Sequence, residues 1–258
     1  MKEYIVITGA SSGIGQALSI EFANMGYNVL AIGRNEVGLQ RTKKSASNGT
    51  ITPLIADLNK EESLDYILKQ FNSETIIKYL VHCAAVIEPL SSLLQADQHD
   101  LTVSIATNVI SPLSLTSKLK HYFTSATRVL FLGSDYVGVD NKIKPHVSGA
   151  YSISKTALKV AVEYLRRECN DIALIGYLNP GTTQTPIYTS FWKAVNTQGA
   201  TNTATTPASP ASVAHFIYNV LENSDNKTFC TIDWDYRKSI HHDQIMKPEK
   251  VSVLRARL

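Results

Sequence analysis

Short apolar runs alternate with helical patterns along most of this chain, and that alternation limits its possible folds more than any single residue does. Residues 4–8 form a first apolar run, followed by a glycine-rich turn and a stretch whose Ile14, Leu18 and Phe22 share one side of a helix. Residues 28–32, 51–56, 76–81, 128–132, 172–178 and 228–232 read as further strands. Helical stretches over residues 35–47, 60–71, 97–122, 150–169 and 211–221 separate them, and Pro112 interrupts the third. Continuously apolar strands joined through helices indicate a parallel sheet covered on both faces. The expected class is therefore α/β, a doubly wound parallel sheet of about seven strands in three αβα layers.

Composition narrows what such a fold would act on. At 258 residues with no repeat or linker, a single domain over 1–258 is the economical reading. Hydrophobic residues make up 44% and charged residues 18%, the mix of a soluble globular protein. The net charge of +3 is scattered, without an aromatic-interleaved basic stripe, so nucleic acid is not an expected partner. No run reaches the roughly 18 consecutive apolar residues of a membrane span, and the start lacks the pattern of a secretory leader. Cys83, Cys169 and Cys230 are far apart and odd in number, so free thiols in a reducing cytoplasm are expected. His241 and His242 are adjacent and have no ligand-spaced neighbours, so no metal site is expected. Residues 182–210 read as a mobile loop with short helical pieces beside a substrate, and residues 233–258 as a polar tail.

The turn Thr8-Gly9-Ala10-Ser11-Ser12-Gly13-Ile14-Gly15 lies between the first strand and the first helix, where a dinucleotide fingerprint belongs. Glycines let the backbone approach a pyrophosphate, and the helix N-terminus offers free N–H groups and a positive dipole end. Sites that select NAD place a carboxylate about 20 positions on, to bind a ribose hydroxyl. Here that region reads Ala31-Ile32-Gly33-Arg34, and a guanidinium suits the 2′-phosphate of NADP(H) instead.

A second constellation is Tyr151 and Lys155, a turn apart on one helix face. A phenol titrates near 10, and a neighbouring ammonium would lower that value, making the pair a candidate general acid and base. Pro112 lacks an N–H and so leaves the Asn108 carbonyl without its usual helical partner, where it can hold a water.

Together with Ala56-Asp57-Leu58, Asn108-Val109-Ile110-Ser111, Gly133-Ser134 and Pro180-Gly181-x-x-x-Thr185, these motifs resemble the short-chain dehydrogenase/reductase family of the single-domain kind. The resemblance runs to about Ile232 and implies a Rossmann-type fold. It implies a catalytic tetrad of Asn108, Ser134, Tyr151 and Lys155, with Tyr151 giving its proton to a carbonyl oxygen and Ser134 bonding that oxygen. Lys155 would bind the nicotinamide ribose and lower the Tyr151 pKa, and the freed Asn108 carbonyl is similar to the family's water relay. For the cofactor it implies Gly9, Ser11, Ser12, Gly13, Ile14 and Gly15 at the pyrophosphate. Asp57 and Leu58 would line the adenine pocket, Ala84 and Ala85 would lie beside the cofactor, and Pro180, Gly181, Thr183 and Thr185 would hold the carboxamide side.

Two departures stand out. His82-Cys83-Ala84-Ala85 replaces the family's Asn-Asn-Ala-Gly, removing the amides that brace the central strands, and residues 139–147 enlarge the loop before Tyr151. Tyr136, Tyr188, Phe191 and Trp192 are candidate aromatic walls, and Asp135 is either a selector of polar substrates or a solvent-facing group. The expected activity is NADPH-dependent reduction of a small ketone, diketone or aldehyde. Residues 232–236 are similar to the corresponding stretch of sepiapterin and benzil reductases. The alternative is a catalytically idle NADP(H)-sensing or scaffolding protein. The family resemblance also implies a homodimer or homotetramer.

Overall fold

A computed structural model of the chain describes residues 2–136, 148–169, 171–197 and 206–240, with residues 239 and 240 as backbone only. Its strands are β1 (Lys2–Thr8), β2 (Asn28–Gly33), β3 (Thr50–Ile55), β4 (Thr75–His82), β5 (Arg128–Leu132), β6 (Leu174–Asn179) and β7 (Asp233–Asp235). They form one seven-stranded sheet in the order β3-β2-β1-β4-β5-β6-β7. Every neighbouring pair is parallel. The chain winds outward in one direction from β1 and in the other from β4. The seam between those two strands is therefore the switch point, where ligands of such sheets bind outside the carboxyl ends.

Side chains alternate across the sheet because a strand repeats every two residues. Ile5 and Ile7 pack with Val29, Ala31, Leu130 and Leu132 against Leu18 and Phe22 of α1 (Gly13–Asn24) and Ile217 of α8 (Pro210–Asn223). Val6, Leu30, Ile32, Val129 and Phe131 face the other way, against Leu115 of α5 (Ser111–Leu119) and Leu158 and Val162 of α6 (Gly149–Glu168). The alternation changes phase along β4: Ile77 belongs to one layer, whereas Tyr79 belongs to the other. A bulge explains it, since Tyr4 pairs with Ile77 and the next residue, Ile5, pairs with Tyr79.

The remaining helices are α2 (Glu36–Lys44), α3 (Glu61–Leu68), α4 (Gln98–Ile105), α7 (Pro186–Thr197), α9 (Asn226–Thr231) and α10 (Tyr236–Ile240). Among the described residues, no helix is long and apolar enough to cross a membrane.

Three element expectations are corrected. Residues 228–232, expected as the last strand, lie mostly in α9, and the strand is β7 instead. Asp225 decides the matter locally, because its carboxylate accepts from the Thr228 N–H at 2.9 Å and caps a helix. Residues 182–210, expected as a mobile loop with short helical pieces, instead contain the 12-residue α7, whose Phe191 and Val195 are buried. The expected proline kink near residue 112 takes the form of a π-helical turn at Ala106–Ile110, with the Ser111 N–H reaching back to the Ala106 carbonyl. Residues 139–147 and the pair His241-His242 lie outside the described residues.

Candidate active site

The β1–α1 turn is shaped by backbone approach. Gly9 and Gly13 have φ of 68° and 56°, in the left-handed region that side chains disfavour. A Cβ on Gly9 would lie 2.7 Å from the Ala84 nitrogen, so the end of β4 presses directly on the turn. Helix α1 has no acidic residue in its first turn, leaving its positive end uncompensated. These features fit a bound pyrophosphate.

From this turn a cavity of about 750 Å³ extends along the carboxyl ends of the strands. Gly9, Ser11, Ser12, Gly13, Ile14 and Gly15 line one stretch, with Arg34, Asp57 and Leu58 beside them. Ala84, Ala85, Ser134, Tyr151 and Lys155 line the middle, and Pro180, Gly181, Thr183 and Thr185 the opposite wall. Thr185 closes over the turn, since a Cβ on Gly13 would come 3.0 Å from its methyl. The sequence-predicted cofactor residues thus line one continuous space.

Three of the four tetrad residues line that space; the cavity lining does not include Asn108. Asn108 is 1% exposed and works behind the site. Its Oδ1 accepts from the Val86 N–H and its Nδ2 donates to the Val86 carbonyl, both at 2.8 Å. Nδ2 also donates to Ser154 Oγ at 2.9 Å, and Ser154 Oγ donates to the Tyr151 carbonyl at 2.8 Å. Asn108 therefore ties the segment that follows β4 to the helix carrying Tyr151, through a serine that no motif singled out.

Tyr151 is buried, and burial is the largest influence on its phenol, pushing it up to about 12. The nearby Ser134 hydroxyl opposes the rise, while Tyr136 and Asp135 add to it. The direction is opposite to the lowering expected from Lys155. The reason is geometric: Lys155 Nζ donates to the Leu132 carbonyl at 2.9 Å and lies 5.8 Å from the Tyr151 ring centroid. Burial in turn brings the Lys155 ammonium down to about 8, with Cys83 acting weakly the other way. A protonated phenol backed by a serine hydroxyl is equipped to donate a proton at neutral pH.

Beyond the tetrad, Tyr136 lies with its ring centroid 6.3 Å from Tyr151 and 5.7 Å from Phe191, and Phe191 lies 5.2 Å from Trp192. With Tyr188 they line the cavity as the expected aromatic wall. Asp135 does not face solvent alone: Asn179 Nδ2 and Arg237 Nη2 both donate to its Oδ1.

A family model described as short chain dehydrogenase matches residues 3–196. The chain belongs to the short-chain dehydrogenase/reductase family. An uncharacterised short-chain type dehydrogenase/reductase of Sinorhizobium fredii is 30% identical over 192 residues, 72% of either chain. A 3-amino-tetrahydro-pyrrolizinone reductase of Xenorhabdus hominickii is 30% identical over 195 residues, covering 74% of this chain and 65% of that one. Levodione reductase shares the fold with a TM-score of 0.77 at 14% identity, over 91% of this chain and 94% of its own. Serine dehydrogenase in a closed form with NADP+ does so with a TM-score of 0.70 at 19% identity, over 86% and 90%. As a short-chain dehydrogenase/reductase, the protein is an oxidoreductase of a nicotinamide-dependent family acting on alcohol and carbonyl groups.

Other groups replace the bracing amides usual in short-chain dehydrogenases/reductases. The Ala84 N–H donates to Thr8 Oγ1 at 3.2 Å, joining the ends of β4 and β1. His82 stacks on Phe131 with centroids 4.7 Å apart, and its Nε2 lies 2.9 Å from Thr116 Oγ1. That hydroxyl donates to the Pro112 carbonyl at 2.8 Å, so it accepts from His82 and fixes the Nε2–H tautomer. Burial, helped by the Lys155 charge, drives His82 down to about 3 and keeps it neutral. Burial likewise raises the Cys83 thiol to about 12, far from a reactive thiolate.

Proposed function

We propose that the protein is an NADPH-dependent carbonyl reductase acting on a small ketone, diketone or aldehyde, with the whole chain as one dinucleotide-binding domain. The observation that carries this reading is one cavity with Arg34 along one part and the buried phenol of Tyr151 along another. A dinucleotide held there would supply the hydride for the carbonyl carbon. The glycine turn and the α1 N-terminus would hold its pyrophosphate, and Arg34 its 2′-phosphate. Asp57 and Leu58 would line the adenine pocket, with Ala84, Ala85 and Lys155 further along.

Tyr151 donates its proton to the carbonyl oxygen as the negative charge develops, and Ser134 stabilises the same oxygen. Burial keeps the Tyr151 phenol protonated at neutral pH, the form that donates a proton. Tyr136, Phe191 and Trp192 offer an apolar surface to the rest of the substrate. The free thiols Cys83, Cys169 and Cys230 support a cytoplasmic setting. An exposed apolar stripe on α6, described below, supports a homodimer or homotetramer.

The test is NADPH and NADH oxidation with a panel of diketones, aldehydes, pterins and acyl-carrier ketones. Tyr151→Phe should lower kcat by roughly 10²–10⁴-fold while NADPH still binds. Arg34→Ala should weaken NADPH much more than NADH. Turnover indifferent to Tyr151→Phe rules out the mechanism. Tight NADPH binding without turnover of any substrate points to the idle sensor.

A further inference from the structure

The β7–α10 corner belongs to no motif that marks the site, yet its Arg237 reaches the cavity rim. Arg237 Nη2 donates to Asp135 Oδ1, directly after Ser134, and Asn179 Nδ2 donates to the same oxygen. Asn179 Oδ1 accepts from the Gly181 N–H at 3.0 Å. The Arg237 stem lies along Gly181, where a Cβ would come 2.8 Å from Arg237 Cγ. Arg237 is itself held, its backbone N–H donating to Asp235 Oδ1 at 3.0 Å. Through its guanidinium, its stem and its backbone N–H, Arg237 thus touches the exit of β5, the exit of β6 and the C-terminal corner. Asp135 and Gly181 line the cavity, whereas Arg237 is not part of the lining.

Two consequences follow from this arrangement. The Asp135 carboxylate is matched by a cation, which removes it as a free acceptor for an amine-bearing substrate. The link between the Ser134 end and the Pro180–Gly181 wall, made directly by Asn179, is buttressed by a side chain outside the cavity.

The geometry points to Arg237 as a positioning residue for the nicotinamide end of the site. By pinning Asp135 and Gly181 it holds the two walls between which that half of the dinucleotide binds. The inference rests on the dinucleotide reading proposed above and adds a residue to it.

The test separates the two halves of the ligand. NADPH and adenosine 2′,5′-bisphosphate, which carries only the adenine half, are titrated by calorimetry into wild type, Arg237→Ala and Arg237→Lys. Arg237→Ala should bind NADPH roughly tenfold more weakly, as expected for losing a hydrogen bond to a charged group. Its affinity for adenosine 2′,5′-bisphosphate should equal that of wild type. Arg237→Lys should recover part of the loss, since an ammonium keeps the charge without the fork. In an Asp135→Asn background, Arg237→Ala should add little. A half-exposed ion pair contributes little to global stability, so the melting midpoint should fall by no more than a few degrees. Equal weakening of both ligands, or unchanged NADPH affinity, would overturn the positioning role and leave the dinucleotide reading intact. Wild type that binds neither ligand would overturn both.

Discussion

Lys155 is a largely buried cation, 3% exposed at the cavity wall, and it donates to the Leu132 carbonyl. Desolvation brings its pKa to about 8, below its value of 10.5 in an open chain. Between those values the unfolded chain binds more protons than the folded one, so the Lys155 contribution makes stability rise with pH across that window. It is present in full above 10.5 and is lost as pH falls through about 8. Urea unfolding of wild type and Lys155→Met should therefore converge on raising the pH if the methionine protein starts out the more stable. The difference should change by on the order of 3 kcal/mol from pH about 8 to above 10.5. A pH-independent difference would show that Lys155 keeps an ordinary pKa. The Tyr151–Lys155 spacing was legible in the sequence, but the direction of the Tyr151 shift was not. That direction depends on how deeply the phenol is buried and on where the ammonium finds its acceptor.

At the scale of elements, Arg128 shows how a strand can finish a helix. It opens β5, is 9% exposed, and its Nη1 donates to the Leu221 carbonyl at 2.7 Å near the end of α8. Its Nη2 donates to the Ser224 carbonyl at 2.6 Å and to Asn226 Oδ1 at 3.0 Å, while the guanidinium lies 5.0 Å from the Phe229 ring centroid. Carbonyls at a helix C-terminus favour a cation, and removing it leaves them unpaired. Arg128→Met should cost about 2–4 kcal/mol in urea unfolding, read as a lower midpoint at unchanged slope. A cost under about 1 kcal/mol would show that water replaces the guanidinium. In sequence, Arg128 read only as the first residue of a strand. The neighbouring α9 misled for a related reason: Thr228, Phe229 and Ile232 suit a strand by type, but the Asp225 cap and the burial of Phe229 against Gly176 select a helix.

For the whole molecule, the apolar side chains left on the surface suggest how copies associate. Ile153, Val160 and Tyr164 recur at helical spacing on α6 and are 48%, 54% and 60% exposed. A stripe of this kind on the helix carrying Tyr151 supports the proposed assembly through α6. Val160→Lys should shift wild-type oligomer toward monomer in sedimentation velocity; an unchanged distribution would exclude α6 as the interface. The chain's own order of residues determined the strand and helix alternation, the glycine turn, Arg34 and the Tyr151–Lys155 spacing, because each is a local pattern with a local physical cause. Only the tertiary structure decided that Asn108 works through Ser154, that Thr8 and His82 take over the bracing of β4, and that Arg237 reaches Asp135 across 102 positions. Those contacts join residues far apart in sequence. Their partners are chosen by how parallel strands bring their carboxyl ends together, which no local pattern encodes.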